Sequence, residues 1–325
     1  MSRKARKPIP MKTPLLIAAM LCCFLLAACM PDVVYTPVED LKFKDPEFRE
    51  CVVGEAERNG WIDAGHVLSL HCPRSNGRKI SNLEGIQHLV NLRELYLAHN
   101  EISDITPLVA LHRLEHLDLD ENQLTEVPPG LPHVTLKHLS LNHNAITDLS
   151  QIARLNQMQS LSMAFNGIED ISELAQMESL QVLSLRHNRI SDISTLENLG
   201  NLRELDLSKN GLEDISPLAP LERLEHLHLG GNRISDVTPI SELNDLRQLD
   251  LSGNRLHNID TLHQLEAIWR LNLDRNPIED ISALLEIGEL EWVSLRGVEN
   301  LSCKLVDLLV GELGRDAVVW DGDCT

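Results

Sequence analysis

Apolar and polar positions recur along most of the chain with a period of 22 residues. Each turn contains the phrase L-x-x-L-x-L-x-x-N, as in Leu92, Leu95, Leu97 and Asn100, and a second aliphatic group follows it. Such a period is typical of a repeat protein in which every turn buries its apolar face against its neighbours. The asparagines that close the phrases, all in step, are Asn100, Asn122, Asn144, Asn166, Asn188, Asn210, Asn232, Asn254 and Asn276.

Within each turn, the pattern predicts one strand and one return. Leu95 and Leu97 alternate with polar residues, as in a strand buried on one face, and ten such strand positions run from Leu95 to Val293 after a partial turn over residues 80–86. The following S-D-I-T-P-L is too short for a long helix and favours a tight turn or a 3-10 helix. The asparagine side chain has donors and an acceptor, so it is predicted to satisfy backbone groups where the chain leaves the strand.

One turn, over residues 127–133, departs from the pattern. It keeps the spacing but places Gly130 and His133 at apolar positions, so a local bend or a looser turn is expected.

An acidic column also recurs in the return turns. These carboxylates are predicted to cap the turns, and a row of calcium sites is the alternative. The column consists of Asp104, Asp148, Asp170, Asp192, Asp214, Asp236 and Asp280.

The repeats, residues 80–300, are predicted to lie between two caps, residues 45–79 and 301–325. In the first cap, Asp45 and Pro46 form a favourable start for a helix, which a strand over residues 67–70 follows. In the second cap, Ser302 is predicted to cap a helix that Gly314 stops.

The N-terminus indicates export. A basic segment precedes twelve apolar residues, 15–26, which is too short for a membrane span of about 20 residues, so residues 1–28 are predicted to be a signal peptide. Translation could begin at Met1 or Met11. The string L-A-A-C ending at Cys29 resembles the lipobox of bacterial lipoproteins, which implies a lipidated Cys29 and a tether over residues 29–44. The alternative is ordinary cleavage after Ala28.

The remaining cysteines and the charge fit an exported protein. Four cysteines outside the signal and the lipobox are an even number in an oxidising compartment. The formal net charge is −20, and loss of the basic signal makes the mature chain more acidic, which disfavours nucleic acid as a partner. The predicted disulfides are Cys51–Cys72 and Cys303–Cys324.

The segment N-L-R-E-L-D-L-S-K-N-G-L-E-D-I-S-P-L, residues 201–218, resembles the repeats of the bacterial internalin group of leucine-rich repeat proteins. The resemblance extends over about residues 80–300. It implies an α/β solenoid in the form of a right-handed leucine-rich repeat horseshoe, with a parallel β-sheet on the concave face. The predicted turns or 3-10 segments then form the convex face, and the predicted disulfides close the caps. It also implies that the concave face binds partner proteins.

The candidate ligand-binding residues are the exposed side chains of the predicted concave face. Exposed aromatics are common anchors of protein interfaces, although each could instead cover a neighbouring turn. His116, His138 and Asp118 are also weak candidates for a zinc or copper site, and protonation of the histidines could make binding sensitive to acid. The candidates are Tyr96, His116, Asp118, His138, Phe165, Arg186, His228 and Trp292.

The predicted function is a surface-displayed protein-binding module for adhesion, recognition or scaffolding. No string typical of a catalytic nucleophile, a zinc protease or a phosphate loop occurs, so neither an enzyme nor a cofactor is expected. The alternatives are a binder of carbohydrate or envelope polymer, with Trp292 and Tyr96 stacking on sugars, and metal capture by the histidines. The expected location is the bacterial cell envelope, at the outer membrane if one is present, with the chain monomeric and held through the lipid on Cys29.

Overall fold

Stacked strands form the centre of the molecule. The computed structural model describes residues 36–73, 79–299 and 301–322, and those from Pro37 onward belong to one compact unit. Twelve parallel strands form one sheet, in which their order is their order in the sequence. The strands are β1 Ser69–His71, β2 Glu94–Tyr96, β3 His116–Asp118, β4 His138–Ser140, β5 Ser160–Ser162, β6 Val182–Ser184, β7 Glu204–Asp206, β8 His226–His228, β9 Gln248–Asp250, β10 Arg270–Asn272, β11 Trp292–Ser294 and β12 Val318–Val319.

The sheet confirms the predicted leucine-rich repeat horseshoe, with the strands on its concave face, and it is longer than the ten repeat strands. The strand predicted over residues 67–70 lies at Ser69–His71 and pairs with β2. At the other end β12 pairs with β11. Leu70 and Val318 are buried in line with the leucines of the repeats. Both caps therefore extend the apolar column and the hydrogen-bond ladder together.

The leucine columns form a continuous core. Leu161 pairs in register with Leu183, and Leu183 with Leu205; each has 0% of its surface exposed. Full burial of one leucine stabilises a fold by about 1.5–3 kcal/mol. Since that burial is supplied by the turns on either side, the stack is the folding unit.

The asparagine ladder joins consecutive turns through the backbone. Asn188 Oδ1 accepts the Ile168 N–H at 3.1 Å, and Asn188 Nδ2 donates to the carbonyl oxygens of Met163 and Leu185 at 3.0 and 2.9 Å. The same three bonds recur at all nine positions from Asn100 to Asn276. The predicted structural role is confirmed: each asparagine satisfies groups that burial would otherwise leave unpaired.

The convex side consists of tight returns, as predicted. Aspartates cap them: Asp170 Oδ1 accepts the Ser172 N–H at 2.8 Å, and the other six residues of the acidic column make the equivalent bond. The capping prediction is therefore confirmed. The 3-10 helices are Val38–Asp40, Ala64–His66, Ile86–His88, Thr106–Ala110, Ser172–Gln176, Ser194–Asn198, Ser216–Leu218, Thr238–Ile240, Asp260–Gln264 and Ser282–Glu286.

The irregular turn over residues 127–133 contains no 3-10 helix, and its burial is shifted. Gly130, at φ 95°, and His133 are exposed rather than buried. Leu131, 3% exposed, and Pro132 are buried in their place. The positive φ of Gly130 turns the chain so that the next residue points inward, which the column spacing alone does not reveal.

The N-terminal cap is tied to the first turn at Asp45. Helix α1 runs Pro46–Asn59; Asp45 Oδ1 accepts the Glu47 and Phe48 N–H groups, and Oδ2 accepts the Ser81 N–H at 2.8 Å. Burial alone would raise the pKa of Asp45, but these hydrogen bonds lower it overall. The disulfide joins Cys51 to Cys72, the predicted pair, with 5.8 Å between the Cα atoms.

Part of the predicted tether belongs to this cap instead. The Val38 N–H donates to the Ile62 carbonyl at 3.0 Å, and the Lys44 N–H donates to the Glu84 carbonyl at 3.1 Å. Val38 and Leu41 are buried. Apolar burial and backbone pairing thus fix residues 37–44 on the cap, while the signal peptide and Cys29 lie outside the described residues.

The C-terminal cap begins with helix α2, Cys303–Leu313. Val306 and Leu309 on its inner face are buried. Ser302 occupies the N-cap position, but its side chain makes no capping hydrogen bond, so packing stabilises this helix start. The predicted Cys303–Cys324 pair includes Cys324, which lies outside the described residues. In the described part of the chain, no helix combines the length and apolarity that a bilayer span requires.

The core can be tested with a matched pair of leucines. We expect Leu205→Ala to lower the free energy of unfolding by about 2–5 kcal/mol, because it opens a cavity between three turns. Leu68→Ala, at a leucine that is 50% exposed, is expected to change it by about 0.5 kcal/mol. Urea denaturation followed by circular dichroism measures both, and equal losses would contradict the stacked core.

The acidic column predicts how stability depends on pH. Backbone and side-chain hydrogen bonds from Ser172 and Ser194 hold the pKa values of Asp170 and Asp192 below their usual 3.8. The unfolded chain therefore binds protons first as the pH falls, so the stabilisation is complete above the usual pKa and is lost on acidification. Urea denaturation at several pH values from about 6 to 3 measures this loss.

Asparagine can replace aspartate as the cap in this column, because Asn258 accepts the Asp260 N–H at the equivalent position. This provides a control variant for the pH experiment. The double variant Asp170→Asn, Asp192→Asn keeps an acceptor but cannot titrate. We expect its free energy of unfolding to fall less steeply as the pH decreases. If it falls as steeply as that of the parent protein, these two carboxylates are not the cause of the pH dependence.

Candidate functional site: the concave face

Three rows of exposed side chains cover the concave face, and the register of the sheet aligns each row across the turns. The first row holds the first residue of each repeat strand: Glu94, His116, His138, Ser160, Val182, Glu204, His226, Gln248, Arg270 and Trp292. The second row holds the third residue: Tyr96, Asp118, Ser140, Ser162, Ser184, Asp206, His228, Asp250, Asn272 and Ser294. The rim row holds the residue before each ladder asparagine: His99, Glu121, His143, Phe165, His187, Lys209, Gly231, Gly253, Arg275 and, at the last turn, Gly297.

His116 and His138 stack in the first row. They pair in register on β3 and β4, and their ring centroids lie 4.2 Å apart with 9° between the planes. Burial lowers the pKa of His138, and the neighbouring His116 and Lys137 lower it further. The Nδ1 atom of His116 is buried without a hydrogen-bond partner among the described residues. The stack therefore favours the neutral form of the His138 imidazole, because burial and nearby positive charge both disfavour protonation.

Tyr96 stacks on a residue of the cap. The rings of His71 and Tyr96 lie 4.2 Å apart, at 13° to each other. Burial raises the pKa of Tyr96, and the carboxylates of Glu94 and Asp118 add to the shift. His71 was not a predicted candidate, because the predicted cap strand ended at residue 70; the register of β1 on β2 places the two rings in line.

Asp118 belongs to a hydrogen-bonded polar network. Its Oδ1 accepts the Asp120 N–H at 3.0 Å, and Asp120 in turn accepts from the Ser140 hydroxyl at 2.6 Å and from Asn142 Nδ2 at 2.9 Å. Burial raises the pKa of Asp118, and the charge of Asp120 contributes in the same direction. Among the described residues, no group of three or more His, Cys, Asp or Glu side chains is arranged to hold a metal ion. The arrangement does not favour the proposed metal site at His116, His138 and Asp118.

Phe165 lies in the rim row between two histidines. The His143 and His187 rings stack on its two faces at 4.1 and 4.3 Å. All three have a left-handed backbone, with φ between 53° and 56°, an uncommon conformation for residues other than glycine. Arg186 precedes His187 at the same edge, and its guanidinium forms no ion pair with any other part of the described chain.

Trp292 closes the other end of the first row. The Arg270 guanidinium lies 4.2 Å from the centre of its ring, a cation–π contact. A shallow pocket of about 220 Å³ lies beside this pair, and His228, Asp250 and Asn272 contribute to its lining.

The eight candidate residues share one face but form three patches. Tyr96, His116, Asp118 and His138 form the first patch, Phe165 and Arg186 the second, and His228 and Trp292 the third. Four further residues of this face were not among the predicted candidates: His71, Arg270, Lys209 and Arg275. The last three stand in the same rows as predicted residues, so a complete reading of every row would have found them.

Family models match the repeats. One described as "Leucine Rich repeats (2 copies)" matches residues 90–133, 178–220 and 222–264, and one described as "Leucine rich repeat" matches residues 112–168. No curated protein matches the chain significantly.

Solved structures agree with these matches. An internalin (inlF) from Listeria monocytogenes is 26% identical, with 90% of this chain and 95% of that chain covered and a TM-score of 0.73. Internalin C2 from the same species is 28% identical over 75% of this chain and 100% of its own, with a TM-score of 0.56.

A more distant likeness is the leucine-rich repeat ectodomain of the plant membrane receptor kinase GASSHO1/SCHENGEN3 from Arabidopsis thaliana. It was solved in complex with Casparian strip integrity factor 2 and is 25% identical, with a TM-score of 0.56. The match covers 71% of this chain and 34% of that chain. By its repeats, its strand order and these matches, the chain belongs to the leucine-rich repeat family, and it is internalin-like.

Proposed function

We propose that this leucine-rich repeat protein is displayed on the bacterial cell envelope and binds a partner protein with its concave face. The observation that carries the proposal is the pre-stacking of large side chains on that face. The Phe165 ring is held 4.1 Å from the His143 ring and 4.3 Å from the His187 ring, and Arg270 is held over Trp292.

Pre-stacking matters because binding normally requires side chains to be ordered, at about 0.5–1.5 kcal/mol for each flexible one. Side chains that already support one another lose less entropy. Aromatic and arginine side chains are also the residues that most often dominate binding energy at protein interfaces. A sheet of ten repeat strands, spaced at about 4.8 Å, offers room for an interface of about 800 Å² per partner.

The comparisons support a protein ligand. The repeat fold is typically a binding scaffold rather than an enzyme, and the Arabidopsis ectodomain was solved in complex with Casparian strip integrity factor 2. The three patches on the concave face contain aromatic, cationic and hydrogen-bonding groups. Such a mixture is typical of the centre and rim of protein interfaces.

Anchoring at the membrane is part of the proposal. The basic segment, the apolar run and the L-A-A-C string support lipidation of Cys29. Multiple acyl chains hold a protein on a membrane stably, whereas a single chain does not. Lipid at Cys29 would keep the repeats beside the envelope and free to meet a partner.

An envelope polymer is the second candidate ligand. Trp292 lies beside a pocket whose lining includes the polar side chains of Asp250 and Asn272. An aromatic face next to hydrogen-bonding groups can stack on a sugar ring and bind its hydroxyls.

A substitution scan tests the binding face. The partner is first captured on the mature protein by crosslinking and identified by mass spectrometry, and its affinity for each variant is then measured by calorimetry. Among the eight candidates, we expect alanine at those that lie at the centre of the interface to weaken partner binding by about tenfold or more each, equivalent to about 1.4 kcal/mol. Free energies of unfolding should stay within about 0.5 kcal/mol.

The convex aspartates are the control. Asp192→Ala and Asp214→Ala remove caps from the return turns and are expected to lower stability without changing affinity. Loss of binding in these variants, with none in the concave set, would overturn the assignment of the face. Retention of glycan or peptidoglycan without a protein would favour the second candidate.

The anchoring proposal predicts that Cys29→Ala moves the protein from the membrane pellet to the soluble fraction. Fractionation and detergent partitioning measure this, with Cys22→Ala in the apolar run as the matched control that should remain membrane-bound. A Cys29→Ala protein that stays in the detergent phase would contradict the lipidation of Cys29.

A further inference from the structure

The rim row contains a notch. Large side chains occupy it from His143 to Lys209, but the next two positions are Gly231 and Gly253, and the row resumes at Arg275. The notch, of about 310 Å³, lies on the concave side of these turns. Three strand spacings separate Lys209 from Arg275, which is about 14 Å.

The fold does not require glycine at these positions. Seven of the ten rim positions hold another residue at a positive φ, among them Phe165 at 55°. A Cβ atom built on Gly253 would lie 3.6 Å from its nearest neighbours, an ordinary contact, and one built on Gly231 would lie 3.2 Å from Lys209 Cγ, a tight contact with a flexible side chain. A positive φ favours glycine, but the seven other residues show that the row also accepts side chains. Two consecutive glycines therefore leave a place where another group can approach closely.

Cations without intramolecular partners surround the notch. Arg186 and Lys209 lie on one side and Arg275 on the other, and none of them forms an ion pair within the described parts of the chain. Elsewhere in the same turns arginines are paired: Arg233 and Arg255 lie 3.8 and 3.9 Å from Glu213. The notch is also lined by two carboxylates, Asp250 and Asp274. The three cations outnumber them, so the notch is formally positive in a chain with a net charge of −20.

The carboxylates beside the notch are already engaged. Asp250 Oδ1 accepts the Ser252 N–H at 2.9 Å, and Asp274 Oδ1 accepts the Arg296 N–H at 2.8 Å. These bonds occupy one oxygen of each carboxylate, which leaves it less capacity to bind the cations opposite.

A backbone donor in the notch also lacks an acceptor. The N–H groups of Ser208 and Ser252 are capped by Asp206 and Asp250, each at 2.9 Å. The equivalent group in the intervening turn is Gly230, which is buried. His228 stands where the capping aspartate would be, and no described residue accepts this N–H.

We propose that this notch binds carboxylate groups of an acidic segment in the partner protein. Guanidinium, ammonium and amide N–H groups together match the acceptor-only chemistry of a carboxylate. The glycine floor lets the main chain of the segment approach the repeat backbone, and the span accommodates about four extended residues. The inference rests on the proposed protein-binding function and names the chemistry that the partner presents.

The probe is a fluorescein-labelled peptide of about eight alternating glutamate and glycine residues, long enough to span the notch. Fluorescence anisotropy measures its binding to the full-length protein in detergent, against the same peptide with glutamine. We expect the glutamate peptide to bind at least about tenfold more tightly, with an affinity that falls as salt is added.

Two kinds of variant test the location. Lys209→Gln with Arg275→Gln is expected to weaken peptide binding by about tenfold or more. Gly253→Phe should block the notch, since Phe165 occupies the same row with the same backbone. Arg233→Gln with Arg255→Gln removes the same charge from the two intervening repeats, outside the notch, and is expected to change affinity less than about twofold.

Each alternative outcome is informative. Three results would overturn the proposal. The double variant outside the notch could weaken peptide binding as much as Lys209→Gln with Arg275→Gln does, or both notch variants could leave peptide binding unchanged. The third result is that inorganic phosphate binds more tightly than the peptide. If the captured partner binds the concave face normally but the notch variants do not affect it, the carboxylate site is wrong and the protein-binding function stands. If the peptide binds the notch but no protein partner exists, the carboxylate site stands and the protein-binding function is wrong.

Discussion

The hydrogen bonds of the asparagine ladder are the constraint on which the rest of the structure depends. Where each strand ends, the chain turns inside the stack, and its backbone groups have no water to pair with. One buried side chain, such as Asn188, satisfies groups of its own turn and the turn before it. A single inserted residue would separate these partners, so the length of every repeat is fixed at the spacing of the ladder.

Fixed repeat length in turn fixes the chemistry of the concave face. Because equivalent residues lie side by side, each exposed side chain meets the same position of the next turn rather than a random neighbour. His116 stacks on His138, Phe165 lies between two histidines, and burial together with these neighbours shifts the pKa values of His138, Tyr96 and Asp118. The chemistry of each binding group on this face therefore depends on the residues beside it in the same row.

The sequence revealed what depends on spacing and missed what depends on backbone angle or on the ends. The leucine columns, the aspartate caps and the neighbouring His116 and His138 follow directly from the period. The left-handed backbone before each ladder asparagine does not, since seven residues other than glycine adopt it. The period also could not show that residues 37–44 pack on the cap, that Leu131 replaces Gly130 in the core, or that His71 stacks on Tyr96, because each depends on contacts outside the repeat pattern.

The unbroken spacing of the ladder has a consequence for how such a protein can change. A duplication or loss of one whole repeat leaves every remaining asparagine with the same kind of partner, so the core closes again around the altered length. The rows on the concave face, however, shift by one position beyond that point, and a notch or a ring stack is widened, divided or erased in one event. Unequal recombination between repeats can thus rewrite what the surface recognises while the scaffold is inherited intact.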